Sequence, residues 1–123
     1  MGENELVQSY STELRRGSLT MVVLACLRGP HYGYALLQAL QEKGVAIEAN
    51  TLYPLLRRLE SQGLLASDWD VSESRPRKYY TLSDMGQRVL ARLWEEWKAM
   101  RLSLEAICGE EESDGKLTGT VRI

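Results

Sequence analysis

Two rhythms of hydrophobic and polar positions run along this chain, one of three and four and one of two. Leu6, Val7, Tyr10 and Leu14 follow the first rhythm within residues 3 to 16. They predict a weakly amphipathic helix that Gly17 stops. Ser18 is a suitable N-cap for a second helix, Leu19 to Arg28. That segment is apolar nearly all round, from Leu19 through Met21, Val22, Val23, Leu24, Ala25, Cys26 and Leu27, so burial on most faces is expected. Gly29-Pro30 ends it in a turn. A third helix is expected from about Gly33 to Lys43, with Leu36, Leu37 and Leu40 inward and Gly44 as its C-terminal stop. Val45-Ala46-Ile47 reads as a short strand or an extended link. Asn50 or Thr51 caps a fourth helix, whose inner stripe is Leu52, Leu55, Leu56 and Leu59 and which Gly63 ends. Pro54 is expected in its first turns, where a missing N–H costs little.

Beyond Gly63 the pattern becomes that of strands. Leu64 to Asp70 and Arg77 to Leu82 are favoured as strands by Trp69, Tyr79 and Tyr80, with Ser72-Glu73-Ser74-Arg75-Pro76 as the loop between them. Ser83 then caps a long last helix, with Asp84 at its positive dipole end. Along it Leu90, Leu93, Trp97, Met100, Leu104 and Ile107 form a seven-residue repeat, the mark of a coiled-coil-like seam. After Cys108 the chain turns polar and acidic and reads as disordered. The order helix, strand, basic turn, strand is that of a winged helix-turn-helix. The expected fold is therefore mainly α with a small antiparallel β wing. Residues 1–17 form an N-terminal arm or helix, 18–82 the winged helix-turn-helix, 83–108 a dimerisation helix and 109–123 an acidic tail.

Candidate chemistry follows from this layout. With its leucine stripe buried, the fourth helix presents Asn50, Thr51, Tyr53, Pro54, Arg57 and Ser61 on its opposite face. Short polar groups at the N-terminal end and one arginine a turn later suit entry into the major groove. Arg58 is open to two roles, DNA contact or pairing with an acidic neighbour. Arg75, Arg77 and Lys78 sit at or just after the hairpin tip, where they suit the phosphate backbone or a narrow minor groove. Trp97 lies on the heptad seam and Trp94 flanks it. Two readings stand for these tryptophans. One is plain packing between subunits; the other is a flat slot near a two-fold axis that takes a planar aromatic guest, with Trp94 and Met100 as soft walls.

The bulk numbers narrow the alternatives. The net charge of −2 argues against coating nucleic acid non-specifically. Arg57, Arg58, Arg75, Arg77 and Lys78 are nevertheless five of the fifteen basic residues, while Glu3, Glu5, Glu110, Glu111, Glu112 and Asp114 stand near the ends of the chain. His31 is the single histidine, no second His or Cys stands at ligand spacing, and there is no Gly-rich phosphate loop or nucleophile elbow. An enzyme, a metal site or a bound cofactor is not expected. Cys26 reads as inert core, and nothing near Cys108 would lower its pKa. The chain has 123 residues and no apolar run of membrane-spanning length, its N-terminus is polar, and its two cysteines suggest no disulfide framework. The cytoplasm is the expected location, with double-stranded DNA and a second copy of the chain as partners. A winged helix used only for protein contact is the competing reading, and the concentration of positive charge argues against it.

The residues resemble a known family. Leu14-Arg15-Arg16-Gly17-Ser18-Leu19, Tyr32-Gly33-Tyr34, Thr51-Leu52-Tyr53-Pro54-Leu55-Leu56 with Arg58-Leu59-Glu60 and Gly63-Leu64-Leu65, and Arg77-Lys78-Tyr79-Tyr80 with Leu82-Ser83 and Gly86 are similar to the PadR family of bacterial transcriptional regulators. The likeness runs from about residue 14 to 108, and the single last helix resembles the family's short subclass. It implies a homodimeric repressor reading an inverted repeat, with the helix from Asn50 to Gln62 in the major groove. It also implies an interface in which the last helix (Leu90, Leu93, Trp97, Met100, Leu104, Ile107) pairs with its mate and with the partner's N-terminal helix, here Leu6 and Tyr10. A flat aromatic effector beside Trp97, as in some short members, or a phenolic acid, as in others, is further implied. Pro76 within the wing and the acidic tail depart from the family pattern.

Overall fold

The computed structural model of the protein describes residues 2–109. Its elements are α1 (Glu3–Cys26), β1 (His31–Tyr32), α2 (Gly33–Glu42), α3 (Ala49–Ser61), β2 (Leu65–Asp70), β3 (Arg77–Leu82) and α4 (Asp84–Cys108). Packing divides the chain after Leu90 into two compact units. The tail expected to be disordered lies outside the described residues.

Leucine patterning explains the core of the first unit. Val23, Leu24 and Leu27 at the end of α1, Leu36 and Leu40 of α2, and Leu52, Leu55, Leu56 and Leu59 of α3 are buried, together with Ile47, Leu65, Tyr80 and Leu82. Each such side chain contributes about 1.5–3 kcal/mol by leaving water. No charged or polar residue is buried among the described residues. Helices α2 and α3 both end in the same way. Gly44 and Gly63 take positive φ (86° and 81°), a region costly for other residues. The following N–H then closes back onto the helix, Val45 to the Leu40 carbonyl at 2.9 Å and Leu64 to the Leu59 carbonyl at 3.0 Å.

The sheet is antiparallel with strand order β1-β3-β2. β2 and β3 pair from Leu65 opposite Leu82 to Asp70 opposite Arg77, and β1 adds His31 opposite Tyr80 and Tyr32 opposite Tyr79. Ser83 caps α4: its hydroxyl accepts the Gly86 N–H at 3.0 Å and donates to the Gly63 carbonyl at 2.6 Å. Gly86 has no room for a side chain, because a Cβ there would collide with the Leu64 carbonyl oxygen.

Two expectations need correction, one strand was not expected, and one open choice is decided. The break at Gly17-Ser18 does not occur, and α1 is one helix of 24 residues. Ser18 donates to the Leu14 carbonyl at 3.3 Å instead of capping, and Gly17 is exposed with no atom near its missing side chain. A helix tolerates one such glycine at a cost of about 1 kcal/mol. The strand β1 lies just after the predicted Gly29-Pro30 turn; two residues are too few to show a period. Val45–Ile47 is an extended link, with Ile47 inserted into the core. Finally, Glu48 is the N-cap of α3, which places Asn50 and Thr51 inside the first turn. Pro54 then lies within the hydrogen-bonded body of the helix, where it leaves the Asn50 carbonyl without its ladder donor.

Candidate nucleic-acid interface

The outer face of α3 is largely as its periodicity implies. Asn50, Thr51, Pro54, Arg57, Arg58 and Ser61 are exposed, opposite the four buried leucines. Neither Arg57 nor Arg58 makes an ion pair among the described residues. Tyr53 differs. It is half-buried, and its ring leans on the first residue of α2: a Cβ added at Gly33 would lie 2.8 Å from its Cε1. Tyr53 therefore serves as a joint between α2 and α3 and offers DNA only what protrudes from that contact.

The wing is more constrained than a solvated basic loop. At its base Asp70 accepts three donors. The Ser72 hydroxyl and N–H reach Oδ1 at 2.6 and 3.0 Å, and the Tyr32 hydroxyl reaches Oδ2. These bonds, the Ser72 hydroxyl first, hold the Asp70 carboxyl down to about 2. The same bond raises the Tyr32 hydroxyl above its usual value. Arg77 lies over the Tyr32 ring, its guanidinium carbon 4.2 Å from the centroid, and contacts Glu73 at 3.1 Å and Asp70 at 4.0 Å. Tyr79 meets the same ring edge-on at 6.2 Å. On the other side Lys78 reaches Glu60 of α3 at 3.4 Å and lies 5.3 Å from the Tyr80 ring centroid. Glu60 also accepts the Ser67 hydroxyl, and that bond, ahead of Lys78, lowers its carboxyl pKa.

The four basic residues expected at the DNA surface thus fall into two pairs. Arg57 and Arg75 are exposed and make no ion pair among the described residues. Arg77 and Lys78 already hold carboxylates, one within the wing and one across to α3. Sequence reasoning found the cations and missed Tyr32, Glu60, Asp70 and Glu73. Asp68, Asp70 and Glu73 stand just before the basic run and were a readable warning of partial neutralisation. Nothing local announced Tyr32, which reaches the wing only because β1 joins the sheet.

Among the described residues the second unit is α4 from Ala91 onward. Trp94 and Trp97 stack on each other, with centroids 5.2 Å apart and planes 10° apart. Lys98 lies 5.9 Å from the Trp94 ring centroid and Arg101 5.7 Å from that of Trp97. Trp97, Met100, Leu104 and Ile107 are exposed, while Leu93 here and Leu90 in the first unit are half-buried. Leu6 and Tyr10, in the first unit, lie on an exposed apolar face of α1 with Val7 and Leu14. Cys108 is buried and Cys26 half-buried. Among the described residues no group of carboxylate, histidine and cysteine side chains is placed to hold a metal ion, and no helix is long and apolar enough to cross a membrane.

A buried leucine stripe under a polar helix face, followed by a three-stranded antiparallel wing with basic residues, defines a winged-helix DNA-binding protein. Comparison with known proteins narrows the class. Residues 23–92 match the transcriptional regulator PadR-like family. A transcriptional regulator of Mycobacterium tuberculosis is 35% identical over 88 residues, covering 71% of this chain and 79% of that protein. A PadR family transcriptional regulator of known structure from Eggerthella lenta is 51% identical, with a TM-score of 0.80 over 87% of this chain and 96% of that one. A PadR-like transcription factor from Bacteroides fragilis is 33% identical, with a TM-score of 0.69 over 80% and 98% of the two chains. This chain belongs to the PadR-like family of transcriptional regulators, whose members bind DNA and are not enzymes.

Proposed function

We propose that the protein is a homodimeric repressor that reads an inverted repeat and leaves it when a small planar aromatic effector binds. The carrying observation is the outer face of α3, where Asn50, Thr51, Pro54 and Arg57 are exposed above four buried leucines. In this reading α3 enters the major groove, Arg57 and Arg75 contact phosphate or guanine, and Arg77 and Lys78 join from the wing. Two recognition helices related by a two-fold axis need half-sites about one helical turn apart. The exposed apolar stripes of α1 and α4 support dimerisation, since contiguous apolar surface of that kind marks an interface. The stacked pair Trp94 and Trp97, with Met100 beside them in sequence, supports an aromatic guest.

The test is operator binding by fluorescence anisotropy across a salt series. Arg57→Ala and Arg75→Ala should each lower the salt slope by about one unit if the lost contact is to phosphate. Should either side chain read a base, its loss should cost about 1–3 kcal/mol and relax specificity at one position. Wild-type binding by both variants at every salt concentration would overturn the docking. For the effector, planar aromatic cations and phenolic acids should quench tryptophan fluorescence and weaken operator binding. Trp97→Ala should abolish both effects and leave DNA binding intact at concentrations where the variant remains dimeric.

A further inference from the structure

We propose that Arg77 is a latched DNA contact: Tyr32 is the platform that aims its guanidinium, and Glu73 is a stand-in for phosphate that DNA must displace. Three observations carry this. The guanidinium carbon lies 4.2 Å from the Tyr32 ring centroid, a cation–π contact that fixes where the charge sits. The platform itself is tied down, because the Tyr32 hydroxyl donates to Asp70 and Asp70 is also held by Ser72. Glu73 is different. Its only side-chain hydrogen bond or ion pair among the described residues is the 3.1 Å one to Arg77, and its side chain is 68% exposed. An exposed pair of this kind is weak, so a phosphate, which accepts from the same guanidinium, can replace the carboxylate. Arg77 stays 45% exposed and within reach of such a ligand. DNA binding then exchanges one anion for another at an arginine already held in place over the Tyr32 ring. Tyr32 is a positioning residue in this scheme, acting on DNA through Arg77.

The inference rests on the reading of the wing as a DNA contact, and the experiment separates the two. Binding is measured at low salt on a duplex that the full chain selects from a random pool, for two double-mutant cycles. Glu73→Gln should tighten binding about two- to fivefold, the scale of a surface ion pair, and should have no effect in an Arg77→Gln background. Tyr32→Leu should weaken binding of the otherwise native chain and do nothing in the Arg77→Gln background. Tyr32→Phe, which keeps the ring but loses its bond to Asp70, should restore part of the loss. If Glu73→Gln acts equally in both backgrounds, it relieves plain repulsion from DNA and the latch is wrong. No tightening in the native background also overturns it. If Tyr32→Leu weakens binding equally in both backgrounds, Tyr32 supports the fold and is no platform. If Arg77→Gln alone leaves affinity and salt slope unchanged, Arg77 is not a DNA contact. The latch then fails, while the role of α3 stands or falls on Arg57.

Discussion

Asp70 shows how one carboxylate can organise a wing. It receives the Ser72 hydroxyl and N–H on one oxygen and the Tyr32 hydroxyl on the other, so the hairpin base is tied to β1. These donors favour the charged form and pull its pKa from the ordinary 3.8 to about 2. A carboxyl whose folded pKa is depressed contributes stability that is complete above its unfolded value and disappears as pH falls through the folded one. The window for Asp70 therefore lies between about pH 4 and about pH 2. Urea unfolding of the native chain and of Asp70→Asn, repeated from neutral pH downward, should show a difference in stability that shrinks across that window. Parallel loss in both proteins would mean that the Asp70 bonds do not stabilise the fold.

At the scale of the element, α1 persists through a residue that normally ends helices. Gly17 lies in the middle of 24 helical residues, exposed, with no atom within 4 Å of where a Cβ would be. Its φ is not positive, so an alanine fits the backbone without strain. Gly17→Ala should raise stability by about 0.5–1 kcal/mol by removing the entropy that glycine carries in the unfolded chain. A thermal melt with an unchanged or lowered midpoint would show that α1 is not continuous through this point in solution. In α3 the departure is of another kind. Pro54 deletes a ladder bond just where the outer face carries its candidate DNA contacts, and the Asn50 carbonyl is left without its ladder donor.

The whole molecule raises the question of what covers its apolar stripes. Trp97, Met100, Leu104 and Ile107 on α4 and Leu6, Val7, Tyr10 and Leu14 on α1 are exposed in the single chain. Dimerisation through them is the proposed answer, and the heptad spacing of the α4 residues fits a helix pair. Replacing Leu93 and Leu104 by glutamate should produce monomer or unfolded chain on light scattering. Since operator binding needs two half-sites, affinity should fall with dimer content. A well-folded dimer from the double variant would exclude this seam.

Periodicity alone determined α2, α3 and α4, the two long strands and the leucine core, because each is a local pattern with a local physical cause. The strands Leu65–Asp70 and Arg77–Leu82 fall within one residue of their expected limits, and Ser83 caps α4 as its hydroxyl and position suggest. The polar face of α3 was legible for the same reason, since burying leucines on one side dictates what faces out. Tertiary structure decided the remainder. Whether Gly17 breaks a helix depends on whether anything rewards a break, and here nothing does. The two residues of β1 become a strand only because β3 offers them partners. Tyr53 turns partly inward because Gly33 leaves room for its ring, and Arg77 and Lys78 are restrained because Tyr32 and Glu60 arrive from distant segments. A sequence lists charges and rings one after another, and only the fold determines which of them meet.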